Sequence, residues 1–229
     1  KKIFQQKEII KMILKNKVIN FLGDSITQGI GTTPGNIYHE IIAKNYGLKA
    51  ANNYGISGTR FARQQKPTED NPSFDEYFML RAEKMPEDVD AVVVFGGTND
   101  FGHGDAPLGE FSDRTPDTFY GATHLLCQFL INKYHGKPIV FMTPLHRCTE
   151  DCLTGDNKPE PVANLETYVN IIKEVTRYYS LPVCDMFAIS GLQPNVDVIK
   201  KNYIPDGLHP NEAGHEVMAE RLANFLLAL

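Results

Sequence analysis

The stretch Ala91-Val92-Val93-Val94-Phe95-Gly96-Gly97-Thr98-Asn99-Asp100 decides the fold. Five consecutive apolar residues leave the strand no polar face. A strand of that kind has to be covered on both sides, as in the middle of a parallel sheet. Working outward, short apolar runs predict five strands: Val18–Leu22, Lys49–Tyr54, Val89–Phe95, Ile139–Thr143 and Pro182–Met186. Longer amphipathic runs lie between them. Ile37–Tyr46 and Thr118–His135 read as helices, followed by Gly47 and Gly136, which suit left-handed caps. Leu165–Tyr179 carries Leu165, Tyr168, Val169, Ile172 and Val175 at helical spacing. A last helix follows Pro210 and runs to about Leu227, with Val217, Met218, Leu222, Phe225 and Leu226 on its apolar stripe. Strands alternating with helices predict an α/β fold built on a parallel sheet.

The 229 residues contain no repeat, composition break or low-complexity linker, so one domain spanning 1–229 is the simplest reading. A hydrophobic content of 42% is enough for a sizeable core without disulfides or metals. The net charge of -5 comes without a cluster of Lys and Arg, which speaks against a nucleic-acid partner. The basic residues from Lys1 to Lys17 alternate with Ile9, Ile10, Ile13 and Leu14 and read as the solvated face of an amphipathic helix. No apolar run approaches the roughly 18–20 residues that cross a bilayer, so no membrane insertion is expected.

Cys127 and Cys184 sit in apolar contexts and read as core residues. Cys148 and Cys152 lie in a polar loop, where a disulfide, a metal site or two free thiols are the alternatives. Two thiols with no matching second pair are more often free. Few cysteines and no signal-like segment point to a cytoplasmic setting. Phe61–Phe74, Gly102–Pro116 and Pro144–Pro161 resist assignment as strand or helix. Each follows a predicted strand, which places it at the carboxyl edge of a parallel sheet, where ligands bind.

Four small-residue segments carry groups suited to chemistry. Gly23-Asp24-Ser25-Ile26-Thr27 follows the first strand and puts a hydroxyl at the sheet edge, although a serine there often only caps a helix. Gly55-Ile56-Ser57-Gly58-Thr59 follows the second strand, and Gly58 offers a bare N–H. Gly96-Gly97-Thr98-Asn99-Asp100 follows the third, and the Asn99 amide is a donor that does not titrate. Either glycine segment alone would be a turn. Asp206-Gly207-Leu208-His209-Pro210 precedes the last helix, with a carboxylate and an imidazole close enough to meet within one turn of chain. A serine hydroxyl needs a base to take its proton, and that base needs an orienting partner. Three strand ends with one suitable group each, joined by an Asp/His pair, outweigh the bland readings taken singly.

These four segments, in this order from Gly23 to His209, resemble the blocks of the SGNH hydrolases, the GDSL-type esterases and lipases. Ile26 stands where many members have Leu. The resemblance implies a three-layer α/β/α sandwich around a parallel sheet of about five strands. It implies Ser25 as nucleophile, His209 as general base and then acid, and Asp206 as its orienting carboxylate. The oxyanion hole would be the backbone N–H groups of Ser25 and Gly58 with the Asn99 side chain. The expected reaction is hydrolysis of a small-molecule ester through an acyl-enzyme, with no cofactor and no metal.

Acyl transfer, lipase or lysophospholipase activity, and carbohydrate binding without turnover are the alternatives on the same fold. Ser57 is a rival nucleophile with no better access to His209. Gly-x-Ser-x-Gly and the nucleotide-binding glycine motifs are missing. The histidines His103, His124 and His135 are scattered, which speaks against a metallophosphoesterase. The polar loops around Arg60, His103, His146 and Arg147 favour a short acyl group, such as acetyl on a sugar, over a lipid chain.

Overall fold

In the computed structural model, which describes residues 13–229, five strands pair in parallel: Val18–Gly23 (β1), Ala50–Gly55 (β2), Ala91–Phe95 (β3), Ile139–Met142 (β4) and Val183–Cys184 (β5). Their order is β2-β1-β3-β4-β5. The chain reverses direction across the sheet between β1 and β3, the crevice where open α/β sheets bind ligands. Helices fill the connections: Ser25–Gln28 (α1), Tyr38–Tyr46 (α2), Phe78–Lys84 (α3), Thr98–Gly102 (α4), Phe119–Lys133 (α5), Leu165–Tyr178 (α6), Met186–Ile189 (α7), Asp197–Tyr203 (α8) and Glu212–Leu226 (α9).

Side chains alternate across each strand, so the sheet feeds two separate cores. Leu22, Val92, Val94, Ile139 and Phe141 point to one face, where α3, α5 and α6 cover them with Phe78, Leu126, Leu130, Tyr168 and Ile172. Ile19, Phe21, Ala91, Val93, Val140 and Met142 point to the other, under Tyr38 and Ile42 of α2 and Met218 and Leu222 of α9. All five residues of β3 are buried, which is the physical meaning of its unbroken apolar run. This is the α/β/α sandwich expected, with the expected number of strands.

Register carries the fold toward its site. Gly23 at the end of β1 lies level with Gly55 on one side and with Phe95 on the other. The loops that follow these three strands therefore start side by side. Gly55 lets α1 sit directly on β2: a Cβ there would stand 2.6 Å from the Thr27 carbonyl carbon and 2.8 Å from Gln28 Cα. Both are main-chain atoms and cannot swing away.

Differences from expectation lie mainly at boundaries and in short elements. β5 has two residues rather than the stretch Pro182–Met186, because α7 starts at Met186 with Asp185 as its cap. Gly47 is the left-handed cap of α2 as expected. Gly136 is left-handed too, but α5 already ends at Lys133, capped by Tyr134. α3, α4, α7 and α8 are too short for their periodicity to stand out from a loop. Phe61–Phe74 is irregular up to a 3-10 turn over Pro72–Asp75. The amphipathic reading of Lys1–Lys17 falls largely outside the described residues; of its apolar members described here, Leu14 is buried and Ile13 is exposed. Among the described residues, no helix is long and apolar enough to cross a membrane.

Gly55→Ala should lower stability by about 1–3 kcal/mol, the range for overpacking a filled site, with α1 shifted. Urea unfolding monitored by circular dichroism measures it, and an unchanged midpoint would contradict this account of the α1–β2 contact.

Candidate active site

β1 ends at Gly23, and Asp24 turns the chain into α1 by accepting a hydrogen bond from Ile26 N–H at 3.0 Å. Ser25 is the first helical residue and is 6% exposed. Its N–H is among those that a helix start leaves without a carbonyl partner. The second half of the site comes from the segment before α9. Asp206 Oδ1 accepts from the backbone N–H groups of Leu208 (2.9 Å) and His209 (2.7 Å), which folds Asp206–His209 into a tight turn. Gly207 occupies the left-handed region there, with φ of 83°. The turn brings His209 Nδ1 to 2.7 Å from Asp206 Oδ2. The opposite ring atom, His209 Nε2, lies 3.0 Å from Ser25 Oγ.

An ionised Asp206 can only accept, so His209 Nδ1 carries a hydrogen, and in the neutral imidazole Nε2 then presents its lone pair to the Ser25 hydroxyl. Partial burial pushes the Asp206 carboxyl up. The hydrogen bonds from His209 N–H, Leu208 N–H and the imidazole outweigh it and hold the group below its ordinary range.

Gly58 follows β2 with φ of 74°, where an L side chain is strained, and its α-carbon is packed against the Phe74 ring. Asn99 sits in the first turn of α4. Its Nδ2 donates to Thr59 O at 3.0 Å, which orients the amide and leaves a second N–H. Ser25, Gly58 and Asn99 thus come from the ends of β1, β2 and β3, the three strands in register.

Several side chains have positioning contacts that the sequence does not announce. The Asp100 carboxylate accepts from Phe61 N–H and Ala62 N–H, both at 2.9 Å, and so ties the chain after Gly58 to α4. Arg81 of α3 is 3% exposed and donates to Gly23 O (2.7 Å), Tyr54 O and Thr59 Oγ1 (2.7 Å). One guanidinium thereby joins the exits of β1 and β2. A lone Arg in the apolar Phe78-Met79-Leu80-Arg81-Ala82 run was the available signal. Arg60, 3% exposed, donates to Phe74 O at 3.1 Å and to the Asp75 carboxylate at 3.2 Å.

Other residues singled out in the sequence lie apart from this line. Ser57 donates through both its N–H and its hydroxyl to Gln28 Oε1. His124 pairs with Tyr179, and His146 with Glu150. Cys127 and Cys184 are buried, and Cys148 and Cys152 are free thiols. Among the described residues, no three His, Cys, Asp or Glu side chains are grouped to hold a metal ion.

Comparison with known proteins places the chain among known folds and families. A family model described as the GDSL-like Lipase/Acylhydrolase family matches residues 21–217. A solved structure of a Lactobacillus plantarum protein is 30% identical, with a TM-score of 0.80, over 93% of this chain and 98% of that one. The lipase/acylhydrolase of Enterococcus faecalis is 21% identical, with a TM-score of 0.59, over 93% and 96% of the two chains. The acetyl xylan esterase AlAXEase is 19% identical, with a TM-score of 0.60, over 91% and 98%. The last two likenesses speak to the fold alone. No curated protein matches the chain.

Two buried carboxyl groups flank the site. Burial pushes Asp24 up to about 6, against the Ile26 N–H and the charges of His209 and Arg81. Asp24 Oδ2 is buried with no hydrogen-bond partner among the described residues. Burial pushes Asp100 up to about 6 as well, against its two backbone donors. A carboxyl whose pKa is raised by folding holds its proton more tightly in the native state. Its contribution is complete below pH about 4 and is lost as pH rises through about 6. His103 and His215, both lowered to about 4 mainly by burial, act in the opposite direction over part of that window. The informative quantity is therefore a difference between proteins. Asp24→Asn should gain stability relative to the parent, on the order of 1–3 kcal/mol, as pH is raised from 4 to 7. Urea titrations across that range test it, and a pH-independent difference would refute it.

Proposed function

The chain belongs to the GDSL-like lipase/acylhydrolase family, and from that premise we propose that it hydrolyses short-chain acyl esters through an acyl-enzyme on Ser25. The observation that carries the reading is the unbroken line Ser25 Oγ–His209 Nε2–His209 Nδ1–Asp206 Oδ2, at 3.0 and 2.7 Å. In the first step Ser25 Oγ attacks the ester carbonyl carbon while His209 Nε2 takes the hydroxyl proton. Asp206 stabilises the resulting imidazolium and keeps its ring in place. The carbonyl oxygen becomes an oxyanion, met by the N–H groups of Ser25 and Gly58 and the free N–H of Asn99. Such donors act most strongly when held in advance, which is what Arg81, Asp100 and Thr59 supply.

Collapse of the tetrahedral intermediate breaks the ester C–O bond. His209 returns its proton to the leaving alkoxide, and the alcohol departs. Water then attacks the acyl-enzyme with His209 again as base, releasing the carboxylic acid and restoring the Ser25 hydroxyl. No step calls on a cofactor or metal. Support for a short acyl group comes from the polar side chains in the segments after β2, β3 and β4, Arg60, His103 and Arg147. The fold-level likeness to an acetyl xylan esterase is consistent with acetyl esters of carbohydrates as substrates.

Ser25→Ala should reduce kcat/KM on p-nitrophenyl acetate by about 10³-fold or more. A fluorophosphonate probe should label the parent protein on Ser25 and leave the variant unlabelled. Undiminished turnover by Ser25→Ala would overturn the assignment. Across p-nitrophenyl esters, acetate and butyrate should be cleaved faster than octanoate, and the opposite order would overturn the short-acyl reading.

A further inference from the structure

His103 follows Asn99 by one turn, its N–H bonding the Asn99 carbonyl at 3.0 Å. It therefore stands beside the residue whose amide faces the oxyanion. On its other flank the His103 ring lies against Phe74, with ring centroids 5.7 Å apart. Phe74 in turn covers Gly58. An imidazole and a phenyl ring, neither of them fully buried, thus form a short wall next to the donors of Gly58 and Asn99.

Arg60 sets the chemistry of that wall. Its NH1 lies 3.2 Å from His103 Nδ1, while its NH2 holds Phe74 O, Thr68 Oγ1 and Asp75 Oδ1. A guanidinium has only hydrogens to offer. His103 Nδ1 must then present its lone pair to Arg60, and the ring hydrogen belongs on Nε2. His103 Nε2 has no partner among the described hydrogen bonds and is not a buried atom. Burial, with Arg60, Arg147 and Lys158 adding to it against Asp156, lowers His103 to about 4, so the ring is neutral at pH 7. The side chain is a fixed, uncharged N–H donor standing on an aromatic neighbour.

We propose that His103 and Phe74 form a subsite for the alcohol part of the ester, and that this alcohol is a hydroxyl-bearing sugar ring. The proposal rests on the short-acyl ester hydrolase reading above. An acetyl group has one oxygen of its own, and that oxygen occupies the oxyanion hole. An acceptor that meets His103 Nε2–H must then come from the alcohol. A ring hydroxyl supplies the acceptor, and the C–H face of the same ring covers Phe74. Ligand sites commonly combine one aromatic surface with a few fixed polar groups in this way.

The test compares methyl 2-O-acetyl-β-xyloside with p-nitrophenyl acetate, whose alcohol has no ring hydroxyl. In His103→Ala, the ratio of kcat/KM for the sugar ester to that for p-nitrophenyl acetate should fall roughly tenfold, as expected for loss of one hydrogen bond to a substrate oxygen. His103→Gln, which keeps a donor, should fall less, and Phe74→Ala should lower the same ratio. An unchanged ratio in His103→Ala would overturn the subsite, whether both activities fall together or neither falls.

A second measurement does not depend on turnover. Methyl β-xyloside titrated into Ser25→Ala protein should perturb NMR signals of residues around His103, and the added His103→Ala change should weaken that binding. No perturbation near His103 would count against the subsite. Cleavage of p-nitrophenyl acetate without any binding or cleavage of the xylosides would remove the subsite and leave the hydrolase standing. Loss of Ser25 labelling and of both activities in the parent protein would remove the hydrolase reading itself.

Discussion

β1 lies between β2 and β3 with Gly23 level with Gly55 and Phe95, and the rest of the site depends on that register. A parallel pair of strands sends both exits to the same edge. Three such strands in register put the loops beginning at Asp24, Ile56 and Gly96 next to one another. A slip of one residue in β1 would turn its side chains to the opposite face and carry Ser25 away from His209. Register is enforced from both faces, because Leu22 and Phe21 are fully buried in different cores. The site is thus set by hydrophobic packing some distance beneath it.

Above the sheet, control passes to buried polar groups. Arg81 binds carbonyls at the ends of β1 and β2 and the Thr59 hydroxyl, while Asp100 gathers two N–H groups of the chain after Gly58. Lys158, itself lowered to about 8 mainly by burial, donates to Asp100 O at 2.6 Å. Taking such charges out of water is costly, and apolar residues of similar shape would often do as well for stability alone. What they supply is direction. Arg81 and Asp100 each meet more than one backbone group at once, so the loops they join cannot rearrange independently. A rigid set of N–H donors is what oxyanion stabilisation requires, since donors that must reorient lose much of their effect.

The segments of the site were legible in the sequence to different degrees. Gly23–Thr27, Gly97–Asp100 and Asp206–His209 could be read because each packs its chemistry into a few consecutive residues after a strand or before a helix. Asp206 and His209 meet through a local turn, so their contact follows from spacing. Arg60, Arg81 and Asp100 act through contacts 8 to 58 residues away in the chain, such as Arg81 with Gly23 and Arg60 with Thr68. No local pattern announces such contacts. The short helices α3, α4, α7 and α8 leave no mark in the sequence for a related reason: four to seven residues complete at most two turns, too few for a periodicity to emerge.

The sequence by itself determined the layer architecture and the chemical groups available to it. Apolar runs of strand length alternating with amphipathic runs of helix length have few ways to bury their surfaces, and β3 with no polar face admits only a central place. Tertiary structure decided the distances. Ser25 and His209 are separated by 184 positions, and nothing in either segment sets how far apart they lie. Their 3.0 Å approach exists because β1 and α9 pack on the same core, a long-range contact whose geometry depends on every layer between them. The same holds for His103. Its place in the chain is an unremarkable loop position, and only Arg60, carried in from the end of β2, settles which nitrogen bears the hydrogen.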